Sequence, residues 1–146
     1  MIVKAIDVAD YILEKRGSMS SVKLQKLVYY AQAWHLVWND EPLFEEEIQA
    51  WVGGPVVVEL YKKHRGIFKL NPRHFGGDPT RINSKSKEDI DKVIEFYGDR
   101  DAQWLSDLTH MEDPWKIARM GLSDRERGDR VISLNSMQEY YSSIPE

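Results

Sequence analysis

The chain is 146 residues long, 42% apolar and 30% charged, with a formal net charge of −4. This fits one soluble domain with its own core and argues against a general nucleic-acid binder. The absence of cysteine excludes disulfides and thiolate metal sites and makes the cytoplasm the default location. No apolar run approaches about 18 residues, and the opening MIVKAIDVADYILEK has acids inside its apolar pattern and no small-residue cleavage site, so neither a membrane span nor a signal peptide is expected.

Ala5, Val8, Ala9, Ile12 and Leu13 form an amphipathic stripe, which predicts a first helix over roughly 4–15 closed by Gly17. Ser20 or Ser21 then caps a long helix over about 20–38. Its stripe is Leu24, Leu27, Val28, Ala31, Trp34, His35 and Trp38, with Tyr30, Ala33 and Val37 on another side and a narrow polar strip near Gln25 and Gln32. A helix apolar nearly all round has to be wrapped by other elements, so this one is predicted to be the centre of the fold. Asn39-Asp40 closes it. Leu43, Phe44, Ile48, Ala50 and Trp51 predict two short extended pieces forming a small β element near 42–52, with Glu45 to Glu47 at its turn. Gly53-Gly54-Pro55 reads as a bend opening a helix, PVVVELYKKHRG, that Gly66 ends.

Residues 67–85 are rich in glycine, proline and asparagine and read as the longest loop. Ile90, Val93, Ile94 and Tyr97 mark a fourth helix from about Lys87, capped by Ser84 or Ser86. Ala102 to His110 is a fifth, with Trp104, Leu105 and Leu108 inward, and Asp113-Pro114 opens a short sixth that Gly121 ends. Leu122 to Arg130 reads as a solvated loop and Val131-Ile132 as an extended piece. Ser133 or Asn135 caps a last helix through Met137, Tyr140 and Tyr141. The expected fold is therefore mainly α, a single compact domain over 1–146 with one small β element.

Chemistry is sparse. Gly53-Gly54-Pro55 lacks the further glycines and the lysine spacing of a phosphate loop. His35, His64, His74 and His110 show no metal-ligand spacing, no serine sits in a nucleophile motif, and no metal or cofactor is expected. His35 reads as a hydrogen-bonded core histidine. His110 lies between two helices beside Asp107, Glu112 and Asp113, and reads equally as structural or functional. Trp34, Trp51 and Trp104 read as core, whereas Trp38 fits either the core or a partner surface. From Glu59 to Lys85 seven Lys and Arg face two acids, a local +5 that is either a solvated loop or a partner surface.

KLQKLVYYAQAWHL at 23–36, PLF at 42–44 and IQAWVGGPVVVELY at 48–61 together resemble the Panacea domain family, which includes SocA-like and GepA-like phage- and plasmid-associated proteins. LSDLTHMEDPWKIAR at 105–119 resembles that family's Leu-Thr-His…Pro-Trp signature, and ISLNSMQEYY at 132–141 resembles its terminal helix. The positions that match are Leu24, Lys26, Leu27, Tyr30, Trp51, Gly54, Pro55, Thr109, His110, Pro114 and Trp115. The resemblance implies an antitoxin of a bacterial or phage toxin–antitoxin pair, not an enzyme, that neutralises a cognate toxin encoded by an adjacent gene through direct protein binding. It implies as an alternative a proteolytic adaptor that delivers the toxin to a Clp protease. Some family members carry an N-terminal DNA-binding segment for transcriptional autoregulation; this chain is expected to begin directly with the domain, so the resemblance does not imply autoregulation for it. The signature positions read as frame, with Thr109 and His110 satisfying buried backbone groups. Trp38, Tyr61, Lys62, Lys63, Arg65 and His110 are the candidate partner-binding residues. A remaining alternative is a small enzyme using His110 on a phosphorylated ligand held by Lys62, Lys63 and Arg65; nucleic acid is a weaker partner still.

Overall fold

The computed structural model describes residues 2–145. Helix α1, Ala5–Arg16, buries Val8, Ala9, Ile12 and Leu13 and ends at Gly17, whose φ of 85° lets its N–H reach the Leu13 carbonyl at 2.7 Å. A two-residue strand β1, Met19–Ser20, leads into helix α2, Ser21–Asn39. The Ser20 hydroxyl caps α2 by accepting from the Lys23 N–H at 3.1 Å, and Asp40 closes it in the left-handed conformation. Every residue from Leu24 to Leu36 is buried, so α2 is the central helix that its composition predicts.

The hairpin lies later than its sequence suggests. Strand β2, Ile48–Trp51, pairs antiparallel with β3, Gly54–Val57, in the register Ile48 to Val57 and Trp51 to Gly54. The turn is therefore Val52-Gly53; Glu45 to Glu47 precede the strands. Pro55 sits in β3 opposite Ala50 rather than in the first turn of a helix. The cause is long-range: Gln25 on α2 accepts from the Val57 N–H at 2.8 Å and donates to the Val57 carbonyl at 3.2 Å, holding that residue extended. Gln32 does the same one step along, accepting from Leu43 N–H and donating to the Phe44 carbonyl, each at 2.7 Å. The expected polar strip of α2 is thus a pair of buried amide clamps, seven residues apart on one helix face.

Helix α3, Val58–His64, follows directly, and strand β4, Lys69–Leu70, pairs with β1. The next loop is pinned to α1: Asp10 accepts from the N–H groups of Phe75 and Gly77, and Asp7 from that of Asp78. After a 3₁₀ turn at Pro79–Arg81, helix α4 runs Ser84–Tyr97, three residues earlier than predicted, because Asn83 and not a serine caps it. Helices α5, Ala102–Met111, α6, Asp113–Ala118, and α7, Leu134–Ser142, complete the chain. Trp104 on α5 is turned out, 39% exposed, with the Arg100 guanidinium 4.5 Å from its ring, so only Leu105 and Thr109 of that helix are buried. Helices α1, α4, α5 and α7 and strand β3 all pack on α2. The fold is mainly α, with seven α-helices and two small two-stranded sheets among the described residues. None of those helices is long and apolar enough to cross a membrane.

Candidate partner-binding site

The β2–β3 hairpin packs on α2 through its buried strand β3, and its exposed turn, Val52-Gly53, is held by side chains from α5 and α6. His110 Nε2 meets the Val52 carbonyl at 2.7 Å while Nδ1 meets the Ser106 carbonyl one turn back on its own helix. Trp115 donates its indole N–H to the Trp51 carbonyl at 2.7 Å, and the rings of His110 and Trp115 lie 4.2 Å apart. Arg119, buried, donates to the Ala50 carbonyl at 3.0 Å and to the Ser123 and Glu126 carbonyls. On the outer edge of β2 the segment at 130–132 adds a short antiparallel bridge, with Ala50 N–H to the Arg130 carbonyl and Ile132 N–H to the Ile48 carbonyl, both 2.8 Å. Backbone groups that a two-stranded hairpin leaves open are thus paired from both sides.

Beneath the hairpin lies Lys26 of α2. Its Nζ reaches the Pro55 carbonyl at 3.4 Å, and burial pulls its pKa down to about 8. Tyr61 on α3 packs edge-on against Trp51, with centroids 4.8 Å apart, and His64 follows at 5.6 Å from Tyr61. His64 Nε2 accepts from the Gln25 amide at 3.0 Å, and burial lowers the imidazole below its ordinary range. These side chains leave two open cavities beside the hairpin. One, of about 620 Å³, lies between the Trp51–Gly53 tip and Arg127–Asp129; the other, of about 190 Å³, lies between α2, the tip and α3.

The structure brings part of the predicted set together. Trp51, Gly54, Pro55, Tyr61, Thr109, His110, Pro114 and Trp115 all belong to the hairpin and the elements that seat it, and Lys26 lies under them. Thr109 donates to the Ser106 carbonyl at 2.8 Å. Leu24, Leu27 and Tyr30 are core, with the Tyr30 hydroxyl donating to buried Glu112 at 2.7 Å. Lys62, Lys63 and Arg65 are exposed at the end of α3, where Lys62 pairs with Glu59 at 3.2 Å. Lys62 and Lys63 line a cleft that Glu45 to Glu47 also line, and Arg65 lies outside it. Trp38 stands apart. It is twelve residues along α2 from Lys26, roughly 18 Å at the helical rise. There it stacks on Trp34 at 5.4 Å beside Phe96 and Ile144. His35 is a core histidine, bonded to the Glu41 carbonyl and the Ser86 hydroxyl, both at 2.9 Å. Gln25, Gln32, Glu112 and Arg119 carry the frame, a role the sequence does not show: it marks Gln25 and Gln32 only as a polar strip and Glu112 only as a neighbour of His110. The signal available for the first two was a seven-residue spacing of amides on an otherwise apolar helix. Among the described residues no cluster of His, Asp and Glu is arranged to hold a metal ion.

The family model described as "Antitoxin SocA-like, Panacea domain" matches residues 24–116, which run from the start of α2 through the hairpin to Trp115 and its neighbour. The chain belongs to this family. It is also similar to Antitoxin SocA of Caulobacter vibrioides (strain NA1000 / CB15N), at 29% identity over 136 residues, covering 82% of this chain and 72% of the relative. No solved structure matches.

Proposed function

We propose that this chain is a single antitoxin domain that neutralises a cognate protein toxin by direct binding in the cytoplasm, with the hairpin tip as its contact surface. One observation carries the choice of surface: Trp51, Val52 and Tyr61 stand partly or fully exposed at a tip whose carbonyls are fixed by His110 and Trp115. A fixed aromatic surface loses little freedom when it meets a partner. Binding, not catalysis, is the reading that fits His110. Its two ring nitrogens face backbone carbonyls, while Asp107 is bonded to Gln103 and Glu112 to Tyr30 and Tyr141.

The test is co-expression with the product of the adjacent gene, read by growth and by the mass of the purified complex. Rescue of growth with a stable stoichiometric complex is expected, and Val52→Asp is expected to abolish both without unfolding the chain. Rescue without a complex, and with faster loss of the toxin in cells that contain a Clp protease, overturns occlusion in favour of delivery. Neither rescue nor complex overturns the antitoxin reading for this pair.

A further inference from the structure

The cavity between α2, the hairpin tip and α3 has a cation in its wall that nothing in the fold balances. Lys26 is 2% exposed. Its ammonium carries three N–H donors and reaches one oxygen, the Pro55 carbonyl, at a long 3.4 Å. Among the described residues no carboxylate pairs with it, and burial is the cause of its lowered pKa. At neutral pH it is still charged. An unpaired buried charge is costly, and proteins ordinarily neutralise it with a counter-ion.

The neighbouring side chains leave that role open. The groups facing the cavity from α3 are Tyr61 and His64, and His64 is kept neutral by burial while accepting from Gln25. From α5, Thr109 offers a hydroxyl already donated to Ser106. The rest of the wall is Val22, Val56, Trp51 and Gly53 with the Ser21 hydroxyl and the Gln25 amide, none of which carries a negative charge. The space is about 190 Å³, enough for one side chain.

We propose that this cavity is a carboxylate-binding site, in which Lys26 receives the acidic side chain of a protein partner whose aliphatic stem packs between Trp51 and Tyr61. That the carboxylate comes from a protein rests on the antitoxin reading; the carboxylate chemistry does not. Low local dielectric strengthens such a pair, and the stretch of wall formed by Val22, Val56, Trp51 and Tyr61 disfavours an uncharged polar group that would lose its water.

The experiment uses the full chain with ¹³C-labelled lysine and two probes, N-acetyl-Leu-Glu-Leu-amide and its Gln counterpart. The Glu peptide is expected to shift the Lys26 Cε signal saturably, with an affinity at least about tenfold above that of the Gln peptide. Lys26→Met is expected to erase the difference. A second arm needs no variant: raising the pH from about 7 to about 9.5 removes the lysine's charge while the Glu peptide stays ionised, and the preference is expected to vanish. Equal binding of the two peptides, or no shift at Lys26, overturns the site. Free propionate binding as tightly as the Glu peptide overturns the assignment to a protein partner. Each of these outcomes is independent of whether a toxin complex forms in co-expression, so failure of this site is distinct from failure of the antitoxin reading.

Discussion

A Cβ placed at Gly54 would stand 2.6 Å from Lys26 Cε and 3.1 Å from Thr109 Oγ1. The first residue of β3 therefore lies directly on the lysine's stem, and its φ of 124° is one that side chains rarely adopt. Gly54→Ala brings both a clash and backbone strain, and is expected to destabilise by about 2–4 kcal/mol in urea unfolding. Gly53→Ala is the control, because nothing lies within 4 Å of its added methyl and its φ is ordinary. It should cost less than about 1 kcal/mol. Equal losses at the two glycines would contradict the close approach.

Lys26 gives a pH signature of its own. Its pKa falls from 10.5 in the unfolded chain to about 8 in the folded one, so between those values the unfolded state binds more protons and stability rises with pH. Measured against Lys26→Met, which has no charge to bury, the wild type is expected to gain about 3 kcal/mol as the pH climbs from 8 to 10.5. The gain is confined to that window. A flat difference between the two proteins across it would mean that the ammonium is solvated.

The parts of this fold that depend on neighbours in sequence were legible, and those that depend on α2's side chains were not. Helices α1, α2 and α7, with the closures at Gly17, Ser20, Asp40 and Ser133, follow from stripes and caps a few residues long. The hairpin was displaced because Pro55 followed by three valines satisfies helix-start and strand rules alike. The tie is broken by Gln25, thirty-two residues away at Val57. Trp104 fits its helix's apolar stripe, yet only a view of what α5 packs against shows it facing solvent under Arg100. Likewise, the family resemblance marks Gly54, Pro55, Thr109, His110 and Trp115 as frame, with Thr109 and His110 satisfying backbone groups, without saying which groups they meet. The geometry gives each a partner in the seat of one hairpin.

Arg119 is expected to be the single largest polar contributor to the hairpin's seat. Arg119 is 4% exposed, and its guanidinium donates to three carbonyls from two segments and lies 5.1 Å from the Trp115 ring centroid. Arg119→Met keeps much of the packing and leaves those carbonyls without their donor, so a loss of about 3 kcal/mol is expected. Amide exchange should quicken most at the 122–130 loop and at Ala50 and Ile132, whose bonds join that loop's end to β2. Uniform quickening across α1 and α4 would instead mean that Arg119 supports the whole core.

Glu112 predicts the opposite pH slope from that of an ordinary surface carboxylate. It is 4% exposed and accepts from the hydroxyls of Tyr30 and Tyr141, both at 2.7 Å, tying α2 to α7 through the α5–α6 junction. Burial raises its pKa above the usual carboxylate value of 4.5, and the two hydroxyls only partly offset this. The folded state then binds a proton that the unfolded state has already released, so wild-type stability falls as the pH rises from about 4.5 through the raised value. Glu112→Gln holds the neutral form at every pH and keeps an acceptor for both tyrosines. Relative to that variant the wild type is expected to lose ground on going from pH 4.5 to 7, and to recover it on return to acid. Because every other carboxylate is common to both proteins, the difference isolates this one. A wild type that instead gains on the variant as the pH rises would show that the tyrosine hydroxyls outweigh the desolvation and hold Glu112 ionised.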